Sequence, residues 1–205
     1  MNKNYTAIIL SGGKSSRMGT NKSHLKINGK SLIKRTIELC NSMFEETIII
    51  TNEKEEYENL NIKCYADIYP NFGPLSGIHS GLVNSKTENN FVISCDMPFI
   101  NVEVIDFLIG YNSNKQIVLP KSKDEIYSMC GLYKKKCISE AEKLLKKAIE
   151  ENSKTKKVKV RLFDLINATD ADIVDVEQET FYNKDLFFNM NSSEDYEYAK
   201  MKLSI

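Results

Sequence analysis

The chain predicts an α/β protein: a single domain over residues 1–205, a doubly wound and mostly parallel sheet with helices on both faces, and an antiparallel edge addition. Three observations carry this. Short apolar runs recur that are nearly continuous rather than alternating, the mark of strands covered on both faces. Segments with helical spacing lie between them, giving the order strand, helix, strand, helix. A glycine-rich, cationic loop leaves the first run, at the place where open α/β sheets bind ligands.

In chain order, Ala7-Ile8-Ile9-Leu10 is the first strand and Ser31 to Met43 the first long helix, with Leu32, Ile33, Ile37, Leu39 and Cys40 at helical spacing. Ile48-Ile49-Ile50 is the second strand, Phe91-Val92-Ile93-Ser94-Cys95 the next, Val102 to Ile109 a helix and Ile117-Val118-Leu119 another strand. Tyr127 to Tyr133 alternates like a half-exposed strand and is read as the antiparallel addition at one edge. Ile138 to Glu151 is amphipathic, and Lys154 to Lys159 is read as a solvated linker between helices. Phe187 to Asn191 reads as a strand before a last helix, for which Ser192 and Asp195 approximate a capping box.

Composition limits the possibilities. At 205 residues the chain suits one well-buried domain. Lysine plus arginine equals aspartate plus glutamate, 28 against 28, so no overall field draws it to nucleic acid or to an anionic membrane. The five cysteines form no C-x-x-C pair and the two histidines, His24 and His79, form no cluster with them, which argues against a zinc site or a disulfide framework. No apolar stretch approaches membrane-spanning length and the N-terminus lacks a signal-peptide pattern, so a cytoplasmic location is expected.

The loop Leu10-Ser11-Gly12-Gly13-Lys14-Ser15-Ser16-Arg17-Met18-Gly19, followed by Lys22, is built for phosphate. Adjacent glycines let backbone amides converge on an anion without Cβ atoms in the way. Arg17 can grip two oxygens while Lys14 and Lys22 supply mobile point charges, a set that suits a triphosphate. Neither the P-loop spacing nor G-x-G-x-x-G is present. Further on, Cys95-Asp96-Met97-Pro98 ends a buried strand on an acid, which turns Asp96 towards the same crevice. A carboxylate facing a triphosphate repels it unless a hard cation lies between, and Mg²⁺ with few protein ligands meets that need.

These two segments resemble the L-x-G-G-x-S-x-R-M-G-x-x-K and C-D-M-P-F motifs of the molybdenum cofactor guanylyltransferases, within the wider superfamily of nucleotide-diphospho-sugar-type nucleotidyltransferases with a Rossmann-like fold. The resemblance implies that the backbone of Leu10, Ser11 and Gly12 lies along the base, and that Gly13, Lys14 and Lys22 hold the nucleotide. By the same likeness Asp96 binds Mg²⁺ and nucleotide, with Arg17, Lys22 and Asp96 as the catalytic set. Asn52 and Asp67 resemble the family's nucleotide-contacting asparagine and acid, with an ordinary turn or capping role as the plain alternative for each. Gly77, in Gly73-Pro74-Leu75-Ser76-Gly77, and the pair Asn189 and Asn191 resemble motifs bordering the acceptor; close helix packing and capping of the last helix are the plain alternatives.

The implied reaction moves GMP from GTP to the terminal phosphate of molybdopterin. The substrates are then small molecules, with transient contact with other molybdenum cofactor proteins and no nucleic acid or membrane partner. A cytidylyltransferase for the same pterin, another small-molecule nucleotidyltransferase, and a GTP-binding regulatory module without turnover are the alternatives. Departure from the family pattern at Glu125-Ile126-Tyr127-Ser128 leaves acceptor recognition open.

Overall fold

The computed structural model describes residues 1–12, 22–152 and 159–204. Strand β1 (Asn2–Leu10) is followed by a short hairpin, β2 (Lys26–Ile27) and β3 (Lys30–Ser31), then helix α1 (Leu32–Met43) and β4 (Phe44–Ile50). After them come β5 (Lys63–Tyr65), α2 (Gly73–Asn84), β6 (Asn89–Ser94) and α3 (Val102–Gly110). The second half holds β7 (Ile117–Ser122), β8 (Glu125–Ile126), β9 (Cys130–Lys134), α4 (Cys137–Asn152), α5 (Leu162–Ala168), β10 (Ala171–Asp175) and α6 (Ser193–Leu203).

The main sheet runs β10-β7-β9-β6-β1-β4-β5, with β8 paired to β7. β1 is parallel to both β4 and β6, in register Leu10 to Ile50 and Leu10 to Ser94. The chain goes from β1 outwards to β4 and β5, then returns to β6 on the other side of β1. This reversal opens a crevice at the carboxyl ends of β1 and β6, where a doubly wound sheet binds its ligand.

The near-continuous apolar runs serve two cores, one on each face. Ala7, Ile9, Ile49, Phe91 and Ile93 pack with Ile33 and Ile37 of α1 and with Val104, Ile105 and Leu108 of α3. Ile8, Leu10, Ile48, Ile50 and Val92 pack on the opposite face with Leu75, Ile78 and Leu82 of α2 and with residues of α4 and α5. Each fully buried isoleucine among them contributes about 1.5–3 kcal/mol relative to exposure, so the central strands hold their register firmly.

Two sequence expectations are corrected. β9 is antiparallel as read, but it lies inside the sheet between β7 and β6 and is almost wholly buried, not half-exposed at an edge. Gly131 makes this possible: a Cβ there would come within 2.7 Å of the Val118 carbonyl oxygen and 2.5 Å of Leu119 Cδ2. The outer place is taken by β10, parallel to β7, which has no clear apolar run and was not read from sequence. Phe187 to Asn191 is not a strand. Its backbone is satisfied by turns, Phe188 N–H donating to Asp185 O (2.9 Å), and by Met190 N–H donating to Asp96 O (2.9 Å).

The capping box of α6 is present: Asp195 N–H donates to Ser192 Oγ (3.1 Å) and Ser192 N–H to Asp195 Oδ2 (2.8 Å). No helix among the described residues is long and apolar enough to cross a membrane. The lysine-rich linker expected at 154–159 falls outside the described residues except for Lys159, which is exposed and lies between α4 and α5.

Candidate active site

Leu10 and Ser94 are register partners, so the residues after them leave adjacent parallel strands in the same direction. Ser11 N–H donates to Ile50 O (3.0 Å) and Cys95 N–H to Leu10 O (3.1 Å), which carries the ladder one residue past the strands and holds Ser11 and Cys95 side by side. Ser11 Oγ donates to Cys95 Sγ (3.3 Å). Gly12 follows, and no described residue lies within 4 Å of the position a Cβ would take there.

Asp96 stands at the lip of this crevice. Burial pushes its carboxyl pKa up; hydrogen bonds from Ser94 Oγ and from its own backbone, with the charge of Lys22, pull the other way without reversing the shift. A half-buried acid that resists ionisation is one that favours a cation brought beside it.

Among the described residues the cation at this site is Lys22. Its ammonium donates to Met190 O (3.2 Å) and Asn191 Oδ1 (3.3 Å), while Met190 N–H donates to Asp96 O (2.9 Å). The 189–191 segment therefore ties Lys22 to Asp96, 74 positions further along the chain, through Met190, 94 positions beyond Asp96. An ammonium has three donors, and the described residues accept from two of them. Asn189 Oδ1 is buried and unpartnered, an exposed-to-nothing acceptor one residue from this junction. Asn191 does not cap α6; Ser192 does.

On the other side of β1, Asn52 and Asp67 are locked to each other. Asn52 Nδ2 donates to Asp67 Oδ2 (2.9 Å) and Asp67 N–H to Asn52 Oδ1 (3.0 Å). Burial raises the Asp67 carboxyl pKa, and bonds from Asn52 and Ser76 oppose it. Gly77 sits between this pair and the loop stem: a Cβ there would lie 3.1 Å from Leu10 Cδ2 and 3.9 Å from Asp67 Oδ1. Gly77 thus borders the Leu10 and Asp67 side of the crevice, with α2 packed tightly on β1.

The structure brings together Leu10, Ser11, Gly12, Lys22, Asp96, Asn189 and Asn191 around the β1–β6 crevice, and Asn52, Asp67 and Gly77 beside it. Gly13, Lys14 and Arg17 lie outside the described residues. Sequence reading missed Ser94, Ser23 and Tyr57. Tyr57 is 1% exposed and its hydroxyl meets Ser11 Oγ (2.8 Å) and Ser23 Oγ (2.9 Å). The available signal was a lone aromatic in the charged run Glu53-Lys54-Glu55-Glu56-Tyr57-Glu58, since a buried tyrosine hydroxyl needs a partner.

No three His, Cys, Asp or Glu side chains among the described residues gather to hold a metal. One carboxylate and a buried amide oxygen without a partner fit a Mg²⁺ that keeps its waters and takes its other oxygens from substrate phosphates.

Known proteins resemble this chain in sequence and in fold. The profile of the MobA-like NTP transferase domain matches residues 7–159. A "probable molybdenum cofactor guanylyltransferase" of Clostridium perfringens strain 13 is 38% identical over 203 residues, covering 94% of this chain and 94% of that one. A "molybdenum cofactor guanylyltransferase" of Desulfosudis oleivorans is 29% identical, covering 95% and 94%. Among solved structures, molybdopterin-guanine dinucleotide biosynthesis protein A of Archaeoglobus fulgidus superposes with a TM-score of 0.79 at 23% identity, over 97% of this chain and 98% of that one, a likeness of fold. With the end of its first strand, its loop stems, the Asn52–Asp67 pair and Asp96 inside the matched segment, the chain is a nucleotidyltransferase of the MobA-like NTP transferase family.

Proposed function

We propose that the chain is a Mg²⁺-dependent molybdenum cofactor guanylyltransferase, transferring GMP from GTP to the terminal phosphate of molybdopterin and releasing pyrophosphate. The observation that carries this is the junction of Lys22, Asp96 and the 189–191 segment at the end of β6, one strand from the loop stem. The names of relatives 38% and 29% identical over nearly the whole chain support the choice of base and acceptor.

In the reaction an oxygen of the terminal phosphate forms a bond to the α-phosphorus of GTP. The bond from that phosphorus to the oxygen bridging towards the β-phosphate breaks, and pyrophosphate leaves with the electron pair. A phosphate monoester has its second pKa near about 6, so the nucleophile is largely dianionic at neutral pH and no general base is needed. Catalysis then rests on alignment and charge neutralisation. Lys22, fixed by Met190 O and Asn191 Oδ1, offers its remaining proton to a phosphate oxygen. Lys14 and Arg17 are assigned to the triphosphate and the departing pyrophosphate. Asp96, with Asn189 as a second oxygen donor, would hold Mg²⁺, which supplies charge screening between carboxylate and phosphates. Asn52, Asp67 and the backbone of Leu10 to Gly12 are assigned to the nucleoside, and the cytosol is the expected setting.

Pyrophosphate release is measured with molybdopterin and each of GTP, CTP, ATP and UTP, with and without Mg²⁺. GTP is expected to be the preferred donor, with activity lost in EDTA. Asp96→Asn, shown folded by circular dichroism, is expected to lose at least about a hundredfold in kcat, the scale of removing one charge-stabilising group. Preference for CTP would overturn the base assignment, and wild-type turnover by Asp96→Asn would overturn the metal site.

A further inference from the structure

Tyr57 lies on the short 3-10 helix Lys54–Leu60, far in sequence from the glycine loop, and the residues around it are charged. Its hydroxyl nevertheless touches both stems of that loop, Ser11 Oγ at 2.8 Å and Ser23 Oγ at 2.9 Å. All three residues are buried, at 1–2% exposure. In both contacts either oxygen can be the donor, and Ser11 Oγ also donates to Cys95 Sγ (3.3 Å). The resulting chain, Ser23 to Tyr57 to Ser11 to Cys95, ends on the residue before Asp96.

We propose that Tyr57 is a positioning residue that clamps the two stems of the nucleotide-binding loop to the Asp96 strand before substrate arrives. The proposal rests on the nucleotidyltransferase reading of the crevice and deepens it. The ends of a loop of this length are costly to bring together. Meeting on one phenol oxygen offsets that cost in the free protein and leaves less ordering to be done on nucleotide binding. The tilted ring contact of Tyr57 with His24, 5.3 Å between centroids, and the His24 to Glu56 bond at 2.9 Å dock the same two segments at the surface.

Tyr57→Phe keeps the buried ring and removes the two bonds. It is expected to raise KM for GTP about tenfold, the worth of one to two buried hydrogen bonds, with kcat within about threefold, since no reacting atom is touched. Ser23→Ala should raise KM less, and the double variant should be no worse than Tyr57→Phe alone, because both changes break one chain. Hydrogen exchange of the ligand-free protein, read by mass spectrometry, should accelerate in peptides spanning Leu10 to Leu25 and not in β7 or β9. Unchanged exchange at the stems, or additive effects of the two substitutions, would overturn the clamp. The exchange readout needs no substrate, so it judges the clamp even if the wild-type protein turned over none of the four nucleotides, a result that would count against the proposed function alone.

Discussion

Gly77 and Gly81 stand one turn apart on α2, and the structure assigns them different jobs that two alanine substitutions can separate. At Gly81 a Cβ would fall 2.4 Å from Ile8 Cγ2, 3.0 Å from Ile8 Cδ1 and 3.4 Å from Ile50 Cγ1. Ile8 is fully buried, its Cγ2 is attached directly to Cβ, and β1 is bonded on both sides, so neither side chain nor strand can step back. Overpacking of this kind costs about 1–3 kcal/mol, and the helical preference of alanine over glycine returns about 1 kcal/mol. Because nothing can step back, the upper part of that range, about 2–3 kcal/mol, applies, so Gly81→Ala should lose ~1–2 kcal/mol net, a fall in Tm of about 2–8 °C for a chain of this size. At Gly77 the nearest atom is Leu10 Cδ2 at 3.1 Å, the end of a flexible side chain. There the helical gain balances the contact, so Gly77→Ala should melt within about 2 °C of wild type. Its effect should appear in KM for GTP, because Leu10 is displaced at the stem of the loop. Differential scanning calorimetry and steady-state kinetics on the two variants test the division. A Gly81→Ala protein melting at or above the wild-type temperature would mean that α2 does not press on Ile8 as described.

Two further outcomes concern charge. Burial holds the Asp96 pKa above its ordinary value of 3.8, so the folded state resists its ionisation. Its contribution to stability is full below that value and is lost as pH rises through the folded pKa, so at neutral pH the carboxylate is a burden on the fold. Asp96→Asn, measured in EDTA, should raise Tm at pH 7 while abolishing turnover; a lower Tm would refute the charge argument. His79 shows the opposite sign: burial lowers its pKa from 6.5, with Glu142 and Lys146 acting in opposite directions, and its Nδ1 has no partner. The unfolded chain binds that proton more readily, so stability is full above pH ~6.5 and falls as pH drops below it. Urea midpoints at pH 7.5 and 5.5 should differ less in His79→Gln than in wild type, and equal differences would remove His79 as the cause.

How much of this was legible in the sequence follows from how far apart the cooperating groups lie. The first strand, the glycine loop and the Cys95-Asp96-Met97-Pro98 strand end were readable because each sets out its chemistry in consecutive residues. The apolar runs were readable because both faces of β1 and β6 are covered, which leaves no room for polar alternation. The bond between Asn52 and Asp67 was not, since nothing in either local sequence names the other. β9 looked like an edge because its short run alternates; its interior place depends on what Gly131 omits, a Cβ that would meet the Val118 carbonyl. Phe187 to Asn191 has the composition of a strand, but its Met190 N–H goes to Asp96 O in place of a neighbouring strand.

That misreading bears on how the site is built. A strand at 187–191 would have spent its amides on the sheet. Held in turns, the segment reaches the end of β6 and presents two backbone groups in opposite senses, an N–H to the Asp96 carbonyl and a C=O to the Lys22 ammonium. The acid and the cation are thereby placed by one residue's peptide groups, whatever side chain Met190 carries. Its side chain is fully buried with Ile27, Leu32 and Ala199, which anchors the backbone that does the placing. Disturbing that small core should loosen Lys22 and Asp96 together, so the coupling between donor-phosphate binding and the acid at the strand end is a property of packing near the C-terminal helix as much as of the loop itself.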